Sequence, residues 1–201
     1  MTARGGRQRD LFAGDAAMPE GFAYAEDVLS AADEAALVAR FGSLPFKPFE
    51  FHGYLGNRRT VSFGWNYDYA GRALRKGDTL PDWLLPLRDK AAEFAAVPAM
   101  TLEQSTVIEY APGAGIGWHR DKPDFRDVLA FSFLAPCSLR FRRKRDDGRW
   151  DRATVPAEPR SLYLLRGASR TDWYHSITPL KALRYSVTFR NLSEGGVGMP
   201  E

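Results

Sequence analysis

The chain has 201 residues, 44% of them hydrophobic, with 28 Lys+Arg against 25 Asp+Glu. That balance fits one folded domain, excludes a disordered chain and makes net charge a weak pointer to any partner. A single cysteine, Cys137, excludes an intramolecular disulfide, a zinc knuckle and a CxxC redox pair.

The opening "MTARGGRQRD" is basic, but no apolar segment follows it, so it does not read as a secretory signal. No apolar run is long enough to cross a bilayer. A soluble, cytoplasmic monomer is the expectation, and the lone cysteine suits a reducing compartment. Residues 1–20 mix small and charged residues without periodicity and read as a flexible arm. "SAADEAALVARFGSL" carries helix signals. Ser30 is the N-cap, Asp33 completes a capping box, and Leu37, Val38 and Phe41 form an apolar stripe. "FEFHGYLGNRRTVSFGWNYDY" alternates around glycines and predicts one or two hairpins. "LPDWLLPLRDKAAEFAAV" predicts a second helix, in which Pro86 either occupies the first turn or bends the axis.

From about residue 105 the character changes. "STVIEYAPG", "GIGWHRD", "DVLAFSFLAP", "SLRFRRK", "WDRATVPAE", "SLYLLRG", "YHSITPL" and "RYSVTFRNL" are short, rich in β-branched and aromatic residues, and separated by Gly, Pro and Asp. Such spacing predicts a sandwich or barrel. The expected fold is mainly β with α (α+β), a single domain. Helices and a hairpin from residues 21–104 pack on a double-stranded β-helix, or jelly roll, formed by residues 105–195. The stretch "RFRRKRDDGRWDR", 140–152, concentrates positive charge. It reads equally as a solvated hairpin and as an edge facing phosphates.

Only three histidines are present, and one stands in "GWHRDKPDF" two positions before an aspartate. On a strand, residues i and i+2 share a face, so His119 and Asp121 can both point into the barrel. A third ligand then comes from His52 or His175, and His175, just ahead of the penultimate strand, is the better placed. Two imidazoles and one carboxylate form the facial triad of non-haem Fe(II) oxygenases. Alone, His-x-Asp is weak evidence, but "RYSVTFR" adds to it. Arg184, Ser186, Thr188 and Arg190 fall on one strand face. Two arginines facing into a barrel need an anion, and a short dicarboxylate would fit between them.

The order Tyr110, "HRD" at 119–121, His175 and "RYSVTFR" at 184–190 resembles the AlkB family of Fe(II)- and 2-oxoglutarate-dependent dioxygenases, over roughly residues 105–192. "YHSITPLKALRYSVTFR" is the most specific part. The resemblance implies that His119, Asp121 and His175 bind Fe(II). It implies that Arg184 pairs with the distal carboxylate of 2-oxoglutarate, helped by the Tyr110 hydroxyl. Arg190 would support the chelating end, with Ile116 as apolar wall and Ser186 beside the co-substrate. The pattern departs at Ile108 and Ser186, where many members have Asn, and at Pro123, where repair members often carry an acidic residue. The spacer between His175 and Arg184 is also short.

"SFGWNYDY" is similar to the nucleotide-recognition lid of the family, with Trp65, Tyr67 and Tyr69 on one strand face near Arg58, Arg59, Arg72, Arg75 and Lys76. Aromatic residues beside cations suit stacking on an unpaired base, although the same pattern fits a half-buried amphipathic strand. His52 reads as a hairpin residue, Cys137 as core, and Glu109 and Asp127 as ion-pair partners. The resemblance implies an oxidative demethylase. With O2 it would act on N-alkylated bases in single-stranded DNA or RNA, releasing formaldehyde, succinate and CO2. Two alternatives stand beside it. One is an oxygenase of the same core acting on a protein or small molecule. The other is a catalytically silent nucleic-acid-binding module, against which the intact His119, Asp121, His175, Arg184 and Arg190 argue.

Overall fold

The computed structural model describes residues 18–51, 54–68 and 73–193. Chain order gives β1 (Phe22–Ala25), α1 (Ala31–Phe41), β2 (Lys47–Phe51), β3 (Tyr54–Asp68), β4 (Ala73–Lys76) and α2 (Leu85–Ala95). The eight strands expected after residue 105 follow in order. They are β5 (Gln104–Tyr110), β6 (Ile116–His119), β7 (Phe125–Phe133), β8 (Cys137–Lys144), β9 (Trp150–Ala157), β10 (Leu162–Leu165), β11 (Tyr174–Ile177) and β12 (Arg184–Leu192), with the single turn α3 (Ala168–Thr171) before β11. The predicted arm lies outside the described residues up to 17, as does His52.

Ser30 caps α1 as its spacing predicts. The Asp33 amide donates to Ser30 Oγ at 3.0 Å, and the Ser30 amide donates back to the Asp33 carboxylate at 3.3 Å. Pro86 sits in the first turn of α2, where no amide is needed. The helix stops at Ala96 in the left-handed region, φ 52°.

The larger sheet runs β1-β10-β7-β12-β5-β3-β2, with β4 joined to β3, and the smaller runs β6-β11-β8-β9. All pairings are antiparallel. Residues before 104 thus contribute four strands, β1 to β4, to the same sheet as β5 and β12. Alternation along β12 divides the core. Tyr185, Val187 and Phe189 face α1 and α2, packing with Phe41, Leu84 and Leu87. Ile108, Tyr110, Val128, Leu139, Phe141 and Ile177 fill the space between the two sheets. The order is a helix layer, the large sheet and the small sheet, a jelly roll whose interior is open to polar side chains from β12.

Strand β3 serves three partners, with β2 paired along Tyr54 to Thr60. Up to Gly64 it pairs with β5; from Trp65 it pairs with β4. Gly64 has φ +77°, and a Cβ there would lie 1.9 Å from the Glu103 carbonyl oxygen. Only glycine allows the turn-out at this point.

Candidate metal centre

His119 closes β6 and His175 lies within β11, directly opposite it in register. Their rings are 4.2 Å apart. A register shift between His175 and Ile177 lets β6 carry one extra residue. For that reason Ile116 and His119, three apart, both line the same pocket. His175 is inside the strand rather than just ahead of it. Asp121 is different from the sequence expectation in its local structure. The strand stops at His119, so Asp121 reaches the pocket from the loop, not by strand alternation. Arg170 holds that loop by donating to the Lys122 carbonyl.

Candidate donor atoms of His119, Asp121 and His175 all lie within 4.8 Å of one another. Two ligands on bonds of ~2.1 Å sit at most about 4.2 Å apart, so small side-chain rotations close the set. The Gly117 carbonyl lies 2.9 Å from His119 Nδ1. Accepting a proton there, it leaves Nε2 as a free lone pair, which is the usual outer-shell device of a metal-binding histidine. Asp121 Oδ2 and His175 Nδ1 are buried without a hydrogen-bond partner in the protein. Burial pushes His175 down to about 4, so its imidazole is neutral near pH 7. Burial opposes ionisation of Asp121 too, but the charges beside it, His175 when protonated and the permanent cation Arg190, hold the carboxyl below its ordinary range. A neutral imidazole whose Nε2 lies 3.5 Å from the unpartnered Asp121 Oδ2, beside an ionised carboxylate, fits a divalent first-row ion.

Strand β12 places the two arginines. Arg190 lies 3.6 Å from Asp121 Oδ1, and its guanidinium donates to Gln104 Oε1 at 2.8 Å and Thr188 Oγ1 at 3.0 Å. Gln104 in turn donates to Thr106. This chain fixes Arg190 against the aspartate. Arg184 is wholly buried at the other end of the strand, opposite Tyr110 and 5.0 Å from its ring. It donates to Ser132 Oγ at 2.8 Å, while Nε and Nη1 have no partner. A buried guanidinium with two unpartnered nitrogens is costly unless an anion meets it. A carboxylate is the fitting group.

One pocket is lined by His119, Asp121, His175, Tyr110, Ile116, Ser186 and Arg190 together, with Ile108, Thr188 and Tyr163. Trp65 is half-buried on β3 and is not part of this lining. The Tyr67 side chain and all of Tyr69 lie outside the described residues. Glu109 pairs with Arg59 at 2.7 Å and Asp127 with Arg166 at 2.8 Å, as ordinary ion pairs. Gln104, Arg170 and Tyr163 carry no motif that would mark them in the sequence. Thr188 was visible through its period of two.

The model of the 2OG-Fe(II) oxygenase superfamily matches residues 25–190. The chain belongs to this superfamily. Its AlkB-like character rests on curated relatives. "Alpha-ketoglutarate-dependent dioxygenase AlkB" of Salmonella typhimurium is 31% identical over 152 residues, 66% of this chain and 69% of the relative. "Alkylated DNA repair protein ALKBH8 homolog" of Arabidopsis thaliana is 30% identical over 148 residues, 61% of this chain. The chain spans only 42% of that relative's length. Among solved structures, "The structure of OsALKBH1" superposes with TM-score 0.64 at 19% identity, covering 86% of this chain and 97% of the other, which supports the shared fold. The cofactor set of this AlkB-like superfamily member is Fe(II), 2-oxoglutarate and O2. Among the described residues no helix is long and apolar enough to cross a membrane.

Proposed function

We propose that this chain is an AlkB-like dioxygenase that oxidatively demethylates N-alkylated bases in nucleic acid. The observation that carries the chemistry is the convergence of His119, Asp121 and His175 within 4.8 Å, at one end of a strand whose other end buries Arg184 with two unpartnered nitrogens. His119, Asp121 and His175 hold the iron. Arg184, with Tyr110 beside it, takes the distal carboxylate of 2-oxoglutarate. Arg190 keeps Asp121 ionised and aimed. Ile116, Ile108 and Ser186 shape the wall around the co-substrate. When bound, Fe(II) with 2-oxoglutarate and O2 supplies the oxidation that leaves an N-methyl group as formaldehyde, with succinate and CO2.

Support for a nucleic-acid substrate comes from the names of the relatives and from the β3–β4 hairpin, where Trp65 adjoins Arg75 and Lys76 across the strands. A base is reached most easily when it is unpaired, so a single strand is the preferred substrate. The buried, lone Cys137 suits action in the cytoplasm.

Trp65→Ala tests the substrate reading. Formaldehyde release from a methylated single-stranded oligonucleotide should fall at least tenfold, while decarboxylation of 2-oxoglutarate without substrate stays near wild type. Equal loss of both activities would make Trp65 a packing residue. Wild type that turns over 2-oxoglutarate but no methylated oligonucleotide would favour a protein or small-molecule substrate.

A further inference from the structure

The outer face of the smaller sheet is built unlike its inner face. Along β8 and β9 the inward residues Leu139, Phe141, Ala153, Val155 and Ala157 are buried. The alternate positions carry Arg140, Arg142 and Lys144 on β8 and Trp150 and Arg152 on β9. On β6 and β11, Trp118 and Tyr174 stand next to the inward His119 and His175.

These residues touch. The Arg142 guanidinium lies 4.4 Å from the Trp118 ring centre, 4.8 Å from Trp150 and 5.7 Å from Tyr174. Arg140 lies 5.0 Å from Trp118, and Arg120 lies 4.7 Å from Tyr174. Arg140 Nε also donates to Ser176 Oγ at 3.1 Å and Arg120 Nη1 to the Thr171 carbonyl at 2.9 Å. Stacking holds each guanidinium plane against a ring and leaves its remaining N–H groups for an anion.

The same hairpin treats its other cations differently. Arg143 and Arg145 pair with Asp151, and Arg149 pairs with Asp147. Among the described residues no carboxylate lies within ion-pair distance of Arg120, Arg140, Arg142 or Arg152. The basic stretch is therefore two populations. One is neutralised internally. The other is collected, with three aromatic rings, on one face that has no acidic residue in its outward positions.

We infer that this outer face binds the phosphate backbone of the nucleic-acid strand that carries the target base. The inference rests on the nucleic-acid reading above and adds a second contact surface to it. Charge complementarity selects the partner, since arginines held flat by rings present bidentate donors to phosphates. Continuity selects the route. Trp118 and Arg120 flank His119, so a strand leaving the pocket over the β6 edge comes directly onto this face. Four strands at ~4.8 Å spacing make it about 14 Å wide, room for more than one phosphate.

The test uses the paired substitution Arg140→Glu with Arg152→Glu in the full chain, with Arg140→Gln/Arg152→Gln as the milder control for folding. Binding of a labelled, methylated single strand of about twenty nucleotides is measured across salt concentrations. Turnover of a methylated trinucleotide, which reaches only the pocket, is measured beside it. The reversal should weaken the long strand at least tenfold and reduce the salt slope by about 1–2. Trinucleotide turnover and 2-oxoglutarate decarboxylation should stay within twofold, and the milder pair should move the long strand in the same direction. Unchanged affinity and slope for the long strand, with oligonucleotide turnover intact in wild type, would overturn the surface and leave the demethylase reading standing. Loss of trinucleotide turnover in both pairs would also overturn it, by placing these arginines in the fold of the site. Wild-type binding of poly-glutamate as tight as of the long strand would overturn it in favour of an acidic protein partner. A wild type that neither binds nor demethylates any oligonucleotide would remove both readings.

Discussion

Arg184 shows at a single residue why this interior is costly without an anion. Its guanidinium is wholly buried, yet two of its nitrogens have no partner in the protein. Arg184→Met keeps the volume and removes the charge. Loss of hydrogen bonds to a charged group costs ~1.5–3 kcal/mol, so the 2-oxoglutarate requirement should rise about 10- to 100-fold. Buried charges are often replaced by apolar residues at no cost in stability. The thermal midpoint of the ligand-free variant should therefore equal or exceed wild type. A variant with a lowered midpoint and an unchanged 2-oxoglutarate requirement would make Arg184 structural. His175 gives the pH counterpart. It titrates near 6.5 in the unfolded chain and near 4 in the fold, because burial disfavours its charge. Between those values the unfolded chain binds more protons, so acid favours unfolding. The contribution is fully present above about pH 6.5 and is lost as pH falls to about 4. Metal-free wild type should lose thermal stability across that window, and His175→Gln should show a shallower slope. Equal slopes in the two proteins would contradict the assignment.

At the scale of elements, the bulged β6 and the three-partner β3 do the positioning. The bulge turns Ile116 and His119 to the same side, and the strand end at His119 releases Asp121 into a loop that Arg170 fastens. Gly64 lets β3 leave β5 for β4. Gly64→Ala would force a side chain into a positive φ and onto the Glu103 carbonyl. It should destabilise the protein by roughly 2 kcal/mol or more in urea unfolding. A loss under 0.5 kcal/mol would show that the turn-out relaxes easily. The strands after residue 105 were legible because each is an apolar run closed by Gly, Pro or Asp. Helix α1 was legible through Ser30 and Asp33. Strand β1, only "FAYA", is too short to show a period, and no local pattern reveals that β3 lies beside β5. The His119, Asp121 and His175 set was readable because histidines are scarce and the arginines keep a period of two. Gln104 and Arg170 were not, since their roles arise from contacts 86 and 48 residues away in sequence.

On the whole molecule, the superfamily match from residue 25 to 190 spans both the N-terminal strands and the β-helix, in keeping with one continuous large sheet. Helices close one face of that sheet, which leaves the space between the sheets for the pocket and the outer side of the small sheet for solvent. Net charge is only +3, so attraction to a polyanion must come from how charge is placed, not how much there is. The central claim joins the pocket to a nucleic-acid substrate, and one measurement addresses both. Formaldehyde and succinate are counted together in a reaction of wild type with Fe(II), 2-oxoglutarate and a methylated single-stranded oligonucleotide, with Asp121→Ala as control. The account predicts formaldehyde in step with succinate, one for one, a weaker signal from the matching duplex, and neither product from a folded Asp121→Ala. Succinate without formaldehyde from any methylated oligonucleotide, or both products surviving in Asp121→Ala, would contradict it.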